Sequence, residues 1–578
     1  MPIKIVAYAN ADSANIVWMG DPISNCQGFA LEKKCNNQSP TFLENRTGFA
    51  DQNPRPGEHR PSNIWPFQRY MWSDHDVKPG DQVSYRAIPV IGGAENNPGT
   101  LDQKAASSWS PGITLSGTAG DTECHFNRAL IMSQFVSRAL KGNLSKQNQE
   151  QFKDQLAEHA DKMRAFLYGD LGATLLKILQ EVKTDKSLHL YTALYELNDV
   201  DLIEDLTAIG ERAHVVLANG SSKKKGEDEN EDARTKLKEG GVEVHDRMLW
   251  SKGLGHNKFM VVCKGQHDPQ YAWTGSMNWM TSALCTQINN GLLVTDKSVA
   301  KEYLDQWGRL RDAGSDFPHA LVAANDKSKV HGDKTVWFTR TSDEGDLENC
   351  RKLINAAQEG ILFLLFEPGP SGLQNEIMAR ANKLYVHGVI NSLNQDKGRQ
   401  SPGVATHNVN VNLIRSSEQH QFNLDVVQPE GIKRTDLHQW AQEVTRQMFL
   451  MSQHGWWGYA IIHSKVIVLD PFGEKPIVIS GSHNMGASAS KKNDENLIII
   501  QGNRELAEKY AVHISAVYDH FRWRAQLLQE NKPYEGLQRD DKWQEISSAR
   551  RKDVQFWIEG GGAKKAPSRP ERHKETAA

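Results

Sequence analysis

Two stretches of this chain are alike and decide its fold: His256-Asn-Lys258-Phe-Met-Val-Val-Cys263 and His463-Ser-Lys465-Val-Ile-Val-Leu-Asp470. A Gly-Ser-x-Asn sequence follows each stretch, giving the pairs Ser276 and Asn278, then Ser482 and Asn484. The interval from His to Ser is 20 residues in the first copy and 19 in the second. An internal repeat of this kind predicts two similar halves, each built around the same structural unit.

Both parts of the repeat place polar groups two residues apart. On a β-strand, residues i and i+2 point to the same face, so the imidazole and the ammonium of His-x-Lys reach one pocket together. The apolar residues that follow bury the rest of the strand, while Ser and Asn add a hydroxyl and an amide. Two copies brought together would therefore surround a tetrahedral anion with imidazoles, cations and neutral polar groups.

Such a cage suits a phosphodiester. Histidine can attack phosphorus, lysine neutralises the non-bridging oxygens, and Ser and Asn hold those oxygens as charge shifts. No carboxylate cluster of the kind that holds Mg²⁺ accompanies the repeat, so we expect neither a metal nor a cofactor. A single His-x-Lys is usually only a surface feature and a single Gly-Ser-x-Asn only a turn, but both occurring in order and twice favour a site.

These residues resemble the phospholipase D superfamily, whose signature is His-x-Lys-x4-Asp followed by Gly-Ser-x-Asn. The resemblance covers roughly residues 120 to 530. It implies a metal-independent phosphodiesterase that works through a phosphohistidine. The catalytic residues that it implies are His256, Lys258, His463 and Lys465. The phosphate-binding residues that it implies are Ser276, Asn278, Ser482 and Asn484.

The second copy fits the signature fully, whereas the first departs from it twice. Cys263 replaces the signature Asp, which is Asp470 in the second copy, and Asn290 stands where the second copy has the downstream acid Glu495. In the superfamily the signature Asp mainly supports the residues that form the site and is not one of them. Restoring Asp at Cys263 is therefore expected to change little. The downstream acid orients a catalytic imidazole, and its loss from one copy implies that the two copies differ in function.

The resemblance also implies a role for each histidine. The N-terminal histidine is usually the nucleophile in two-copy members, so His256 is expected to attack phosphorus and His463 to act as acid and base. Glu495 would orient His256 across a pseudo-twofold axis. Asn290 would face His463, where a carboxylate would otherwise favour the imidazolium.

Composition excludes some classes of protein. Asp and Glu outnumber Lys and Arg by 71 to 68 in 578 residues, so no global cationic field would hold the chain on nucleic acid or anionic lipid. Six cysteines without a C-x2–4-C pair rule out a disulfide scaffold and a zinc site of that spacing. With no recognisable secretory signal and no apolar run of ~20 residues, we expect a cytoplasmic protein, signal-independent export being left open.

The first 119 residues differ in texture from the rest. Short apolar runs separated by Gly, Pro and Asn predict an all-β sandwich. A Pro-Gly turn at 79–80 leads into a strand whose Tyr85 would anchor a corner, and 109–115 would supply the last strand. This region resembles a fibronectin type III module, which implies a domain that binds or positions another protein. A packing domain without a partner is the alternative.

From about residue 120 the pattern alternates between helix and strand, which predicts sheets covered by helices. A helix is predicted from Phe126, and others at 200–209 and 373–384, with a strand at 385–390. We therefore predict a multidomain chain: an all-β sandwich followed by two pseudo-twofold-related α/β phospholipase D-like halves. The expected bounds are 1–119 for the sandwich, 120–325 and 326–547 for the halves, and 548–578 for a disordered basic tail.

The superfamily includes phospholipases, lipid synthases, nucleases and inactive members, so the fold does not give the substrate. An apolar, aromatic stretch at 448–459, just before His463, fits acyl chains, although it could also stack bases or fill a core. The leading interpretation is a monomeric hydrolase, a phospholipase D that degrades phospholipid at a membrane interface. An endonuclease acting on DNA or RNA and a non-catalytic binding protein are the alternatives.

Overall fold

An N-terminal β region and two α/β units make up the part of the chain that the computed structural model describes. The described residues are 2–52, 58–94, 99–129, 156–158, 161–369, 371–381, 383–390, 410–414, 424–430, 461–530, 536–545 and 548–561. The aromatic stretch predicted at 448–459 lies outside them.

Two small sheets that share one apolar core form the N-terminal region. Its strands are β1 Lys4–Ala9, β2 Ala14–Met19, β3 Cys26–Cys35, β4 Thr41–Phe42, β5 Glu44–Asn45, β6 Arg60–Pro61, β7 Met71–Asp74, β8 Gln82–Ile91, β9 Thr100–Leu101 and β10 Ile113–Thr114. One sheet has the order β1-β2-β7 and the other β10-β8-β3-β4, with β9 beside β8 and a separate β5-β6 pair. Tyr85 is fully buried, and its hydroxyl donates to Asp74 Oδ2 at 2.9 Å, which ties β8 to β7.

The first α/β unit is built on an eight-stranded sheet. Its strands are β11 Thr118–Ala119, β12 Thr122–Phe126, β13 Leu188–Leu194, β14 Ala213–Ala218, β15 Glu243–Arg247, β16 Lys258–Lys264, β17 Asp268–Gly275 and β19 Asn290–Val294, with β18 Gln287–Ile288 outside the sheet. Its helices are α1 Lys162–Thr184, α2 Val200–Ile209, α3 Glu231–Glu239, α4 Thr281–Cys285 and α5 Lys297–Ala313. The strand order is β11-β12-β19-β17-β16-β13-β14-β15.

The second unit repeats this plan on a nine-stranded sheet. Its strands are β20 Lys329–His331, β21 Lys334–Phe338, β22 Gly360–Leu365, β23 Tyr385–Ile390, β24 Asn410–Ile414, β25 Leu424–Glu430, β26 Ile461–Ile462, β27 Val466–Leu469, β28 Ile477–Gly481 and β29 Asn496–Gln501. Its helices are α6 His319–Asn325, α7 Gly345–Ala356, α8 Gln374–Ala379, α9 Ala487–Lys492 and α10 Arg504–Glu530, and α11 Ser548–Gly561 follows. The order is β20-β21-β29-β28-β27-β22-β23-β25-β24, with β26 pairing β18 of the first unit.

The two sheets match strand for strand. The run β12-β19-β17-β16-β13-β14-β15 corresponds to β21-β29-β28-β27-β22-β23-β25, and each neighbouring pair has the same parallel or antiparallel sense. In each unit the His-x-Lys strand lies between the strand that precedes Gly-Ser-x-Asn and the first parallel strand. The sequence repeat is therefore a repeat of topology.

Several sequence predictions are tested by these bounds. The helix at 200–209 and the strand at 385–390 are confirmed. The helix predicted to begin at Phe126 is wrong at its start, because Thr122–Phe126 is a strand that pairs with β19. A short apolar run does not distinguish helix from strand, and here the sheet neighbour decides.

The prediction of a disordered tail from 548 is also corrected, because α11 covers Ser548–Gly561. Trp557 is only 1% exposed, and its carbonyl accepts from the Tyr8 hydroxyl at 2.8 Å. Its ring also packs against Phe472 with centroids 5.1 Å apart. The charged residues around this helix make its apolar face hard to recognise in the sequence. That face is buried against the N-terminal region and the second unit.

Candidate active site

The His-x-Lys and Gly-Ser-x-Asn segments lie at strand ends in both units. Lys258 begins β16 and Lys465 directly precedes β27, so both histidines sit just before a buried strand. His256 is 5% exposed and His463 is 6% exposed. Backbone hydrogen bonds link each segment to the other unit: His463 N donates to Ile288 O at 3.0 Å, and Asp494 N donates to Leu254 O at 2.8 Å.

Each lysine of the repeat is held by its own histidine and by an aromatic ring. Lys258 Nζ donates to the carbonyl of His256 at 2.7 Å and lies 4.8 Å from the ring centre of Tyr195. That ring meets the His256 imidazole edge-on, with centroids 4.7 Å apart. The second unit repeats the three contacts at 2.6, 4.8 and 4.9 Å, through Lys465, His463 and Phe366.

Glu495 supports His256 from the opposite unit, as the sequence predicted. His256 Nδ1 donates to Glu495 Oε2 at 2.7 Å, and the same oxygen accepts from the Ser482 hydroxyl at 2.9 Å. Burial alone would raise the pKa of Glu495, but the charge and the hydrogen bond of His256 hold it below its usual value. The carboxylate is therefore ionised, Nδ1 carries the proton, and Nε2 of His256 keeps its lone pair.

Asn289 takes the corresponding place against His463. His463 Nδ1 and Asn289 Oδ1 are 2.9 Å apart, and the Ser276 hydroxyl donates to the same oxygen at 2.8 Å. The amide nitrogen of Asn289 donates to Ala283 O at 2.9 Å, which leaves its oxygen for the imidazole. His463 therefore has a neutral partner where His256 has an anionic one.

The prediction that Asn290 faces His463 is wrong. Asn290 Nδ2 donates to Ser480 Oγ at 2.9 Å and to the Tyr510 hydroxyl at 3.2 Å. The prediction matched the doublet 289–290 to the doublet 494–495 position by position. However, β19 begins at the second residue of its doublet, Asn290, whereas β29 begins one residue after its doublet, at Asn496. The spacing from the motif serine would have given the right match, because Ser276 to Asn289 and Ser482 to Glu495 are both 13 residues.

The two motif serines brace the site. Each hydroxyl donates to Asn289 or Glu495 and accepts a backbone N–H at 3.0 Å, from Asn290 or Asn496. Their hydrogens are thus committed to the residues that hold the imidazoles. Direct contact of Ser276 and Ser482 with a phosphate stays a prediction.

Two carboxyl groups that the sequence reasoning missed complete the surroundings. Glu196 follows Tyr195, Glu367 follows Phe366, and the repeat Leu-aromatic-Glu at the ends of β13 and β22 was the signal for them. Burial raises the pKa of Glu196 to about 7 against the charge of Lys258. Burial also raises the pKa of Glu367, with Lys465 acting in the opposite direction.

The two motif asparagines differ in their contacts. Asn278 Nδ2 donates to Glu196 Oε2, so a carboxylate of the same unit holds the Asn278 amide. The Oδ1 atoms of Asn278 and Asn484 are both buried without a hydrogen-bond partner among the described residues. Both amide oxygens are thus left as acceptors.

Burial dominates the electrostatics of the four repeat residues. It lowers the pKa of His256 to about 4. It also lowers the pKa of Lys258 to about 7, although nearby carboxylates act in the opposite direction. Burial and the charges of both lysines and His256 lower the pKa of His463 well below its usual value. Burial and the charge of Lys258 do the same for Lys465. These four side chains therefore resist protonation. An anion bound between the two halves would favour their protonated forms.

Asp470 acts on the backbone and not on the imidazoles. Its carboxylate accepts from the backbone N–H groups of residues 358–360, at 2.7 to 3.1 Å, which fixes the entry into β22. The equivalent entry into β13 is held locally by Asp185, which accepts from Ser187 N at 2.9 Å. Cys263 is a fully buried free thiol inside β16. The first unit thus fixes its strand entry without the signature Asp.

The described residues offer neither a metal-binding cluster nor a membrane-spanning helix. In the ranges that the structure describes, no group of three or more His, Cys, Asp or Glu side chains could hold a metal ion. Within the same ranges, no helix has the length and apolar character needed to cross a membrane.

Parts of this chain match known proteins. A family model described as "Cardiolipin synthase, PLD-like domain" matches residues 176–311 and 402–518. Two relatives named Phospholipase D, from Rickettsia felis and Rickettsia conorii, are 52% identical over 50 residues, which are 9% of this chain and 22% of each relative. The match thus spans about a fifth of those relatives' length.

Among solved structures, phosphatidylserine synthase from Haemophilus influenzae is similar, with 10% identity over 67% of this chain and 91% of that chain and a TM-score of 0.37. With the family match and the duplicated site geometry taken together, the chain carries a phospholipase D-like domain in two regions.

Proposed function

We propose that the protein is a metal-independent phosphodiesterase of the phospholipase D type, which hydrolyses or transfers phosphatidyl groups of phospholipids. The observation that carries the proposal is the joining of the two repeats: Glu495 of the second half contacts His256 at 2.7 Å, and Asn289 of the first half contacts His463 at 2.9 Å. Two imidazoles and two ammonium groups converging from separate units suit one phosphodiester.

The first chemical step uses the lone pair of His256. Nε2 attacks phosphorus, a P–N bond forms, and the P–O bond to the leaving alcohol breaks. His463, protonated on Nε2, gives that proton to the leaving oxygen and becomes neutral. Lys258 and Lys465 balance the charge on the non-bridging oxygens.

The second step returns the enzyme to its starting state. Neutral His463 takes a proton from water, whose oxygen attacks phosphorus as the P–N bond breaks. The phosphoryl product leaves, His256 is again neutral, and His463 again carries its proton. An alcohol in place of water would give transfer in place of hydrolysis.

The unequal partners of the two histidines support this division of roles about a pseudo-twofold axis. A carboxylate beside Nδ1 stabilises positive charge on an imidazole, and a phosphohistidine formed at Nε2 carries such charge. His463 has only the Asn289 amide, so its imidazolium is more acidic and releases its proton readily. His256 with Glu495 therefore suits the nucleophile, and His463 suits the acid and base.

Charge around the site favours a lipid over a nucleic acid. Glu196 and Glu367 act electrostatically on the two lysines. A nucleic acid would bring further phosphates toward these carboxylates, whereas a phospholipid brings one. We propose phospholipid at a membrane interface as the substrate and a monomer as the active unit.

We further propose that the N-terminal region is a fibronectin type III-like module that binds or positions another protein. Its support is a three-stranded sheet and a five-stranded sheet that share one apolar core, with a buried Tyr85 whose hydroxyl reaches back to Asp74. Contacts such as the Trp543 Nε1 bond to Cys26 O, at 2.7 Å, tie this module to the C-terminal segment.

The experiment compares substrates side by side. Purified protein is incubated with phospholipid vesicles, single- and double-stranded DNA, and RNA, with EDTA present throughout. We expect phosphatidic acid from the vesicles and intact nucleic acids. Cleavage of nucleic acid alone would replace the proposal with an endonuclease. Loss of lipid hydrolysis in EDTA that Mg²⁺ or Zn²⁺ restores would overturn the metal-independent mechanism. A protein that binds without cleaving any substrate would be the non-catalytic alternative.

A further inference from the structure

The two Leu-aromatic-Glu segments occupy equivalent places but have different contacts. Glu196 accepts a hydrogen bond from Asn278, so its carboxylate serves to hold that amide. No hydrogen bond from the described residues reaches the carboxylate of Glu367, which interacts with the charge of Lys465. The equivalent amide, Asn484, has a buried oxygen without a partner among those residues. In the second half the carboxylate and the amide oxygen are therefore both available as acceptors, whereas in the first half the carboxylate is committed to Asn278.

These acceptors belong to the side of the site where the leaving group departs. Phe366, the residue before Glu367, lies edge-on to His463 at 4.9 Å between ring centroids. In the proposed function His463 gives its proton to the leaving oxygen, on which this inference rests. A leaving alcohol thus emerges beside Phe366 and meets Glu367.

We propose that Glu367, with the amide oxygen of Asn484, forms a subsite for a primary ammonium group on the leaving alcohol, so that ethanolamine phospholipids are the preferred substrates. A carboxylate and an amide oxygen both accept hydrogen bonds. An –NH₃⁺ group can donate three hydrogen bonds, whereas a hydroxyl can donate only one. A bond between an ammonium and a carboxylate is charge-assisted and stronger than a neutral one.

The same chemistry separates related headgroups. A quaternary ammonium has no N–H to donate and is typically bound by several aromatic faces. A serine headgroup adds a carboxylate that Glu367 would repel. Glycerol offers hydroxyls but no positive charge. The order of preference is therefore ethanolamine first, with choline, serine and glycerol behind it.

The test measures kcat/KM for phosphatidic acid release from neutral-detergent micelles that hold one phospholipid at a time, with identical acyl chains. Wild-type protein should prefer the ethanolamine lipid over the glycerol lipid by about tenfold, as expected for one charged hydrogen bond. Glu367→Gln should remove that preference, so that the ratio of kcat/KM for the ethanolamine lipid to kcat/KM for the glycerol lipid falls to about one. Glu348→Gln, on the solvent side of α7, is the matched control and should keep the preference.

A binding measurement separates this inference from the proposed function. Isothermal titration calorimetry compares phosphoethanolamine with glycerol 3-phosphate, and we expect tighter binding of the amine in wild type and equal binding in Glu367→Gln. Amine-selective binding without cleavage of any phospholipid would overturn the proposed function but support the subsite. Equal affinities in wild type, or a Glu367→Gln variant that slows all lipids alike, would overturn the subsite.

Discussion

Asn289 lies against His463 as Glu495 lies against His256: each receives Nδ1 of a histidine and the hydroxyl of a serine. The two halves are thus equal in geometry and unequal in charge at this one position. An anion beside an imidazole favours its charged form, and a neutral amide does not. In the proposed mechanism this difference gives the two histidines separate tasks.

Replacing Asn289 with Asp should make the two halves electrostatically alike. A carboxylate beside Nδ1 raises the pKa of a histidine by about one unit or more, so His463 would keep its proton to higher pH. We expect the alkaline limb of the kcat/KM profile to move upward and the maximal rate to fall, because a weaker acid protonates the leaving oxygen less well. Asn355→Asp makes the same change on an exposed position of α7 and is the control. An unmoved alkaline limb in Asn289→Asp would contradict the assignment of His463 as the acid.

The wild-type pH profile should favour the acidic side. Burial lowers the pKa of His256 to about 4, so its nucleophilic form is present above that value. The pKa of Lys258 is lowered to about 7, and His463 is also shifted downward, so both lose their protons as pH rises. We expect kcat/KM on a soluble phosphodiester to be higher at about pH 6 than at about pH 8. A profile that rises through this interval would show that the acid has a raised pKa.

Much of the site followed from the sequence because the repeat carried it. Period-2 spacing placed His256 and Lys258 together, and duplication indicated that the second pair would join them. Matching the polar doublets by position did not show which side chain would cross between the halves, since Asn289 and Asn290 are adjacent, although the 13-residue interval from each motif serine distinguishes them. Glu196 and Glu367 were missed because a Glu after an apolar strand is ordinary until both halves are compared. The helix at 548–561 depends on contacts with Tyr8 and Phe472, which are distant in sequence.

Restoring the signature Asp in the first half should destabilise the protein, contrary to the expectation from the sequence. Cys263 is fully buried in an apolar cluster, and the backbone that Asp470 holds in the second half is held in the first by Asp185. An Asp at 263 would find a buried position without those donors. We expect Cys263→Asp to lower the free energy of unfolding by about 3 kcal/mol and Cys263→Ala by about 1 kcal/mol. Urea unfolding of both variants tests this, and equal stabilities would show that the position has a hidden donor.

Replacing Glu495 with Gln should slow the reaction, although both histidines and both lysines stay in place. Gln keeps an acceptor oxygen for His256 Nδ1 but cannot stabilise positive charge on the phosphohistidine. We expect Glu495→Gln to lower kcat by about 10²–10⁴, as for other groups that support proton and charge transfer. Rapid-quench measurement of the phosphoenzyme should show that its formation is the slowed step. A fall in kcat with unchanged phosphoenzyme formation would place Glu495 in the second step.

The division of roles between the histidines can be tested by trapping the intermediate. In His463→Ala, attack by His256 on a substrate with a good leaving group needs no acid, but water then has no base to activate it. A phosphoenzyme should therefore accumulate on His256, with a burst of leaving group equal to the enzyme present. His256→Ala should give no adduct with any substrate, since the attacking nitrogen is gone. Intact-protein and phosphopeptide mass spectrometry, with acid treatment to reveal the labile P–N bond, distinguishes the two variants. An acid-labile adduct on His463 in the His256→Ala protein would reverse the roles, because a neutral His463 with Nδ1 bound to Asn289 also has a lone pair at Nε2.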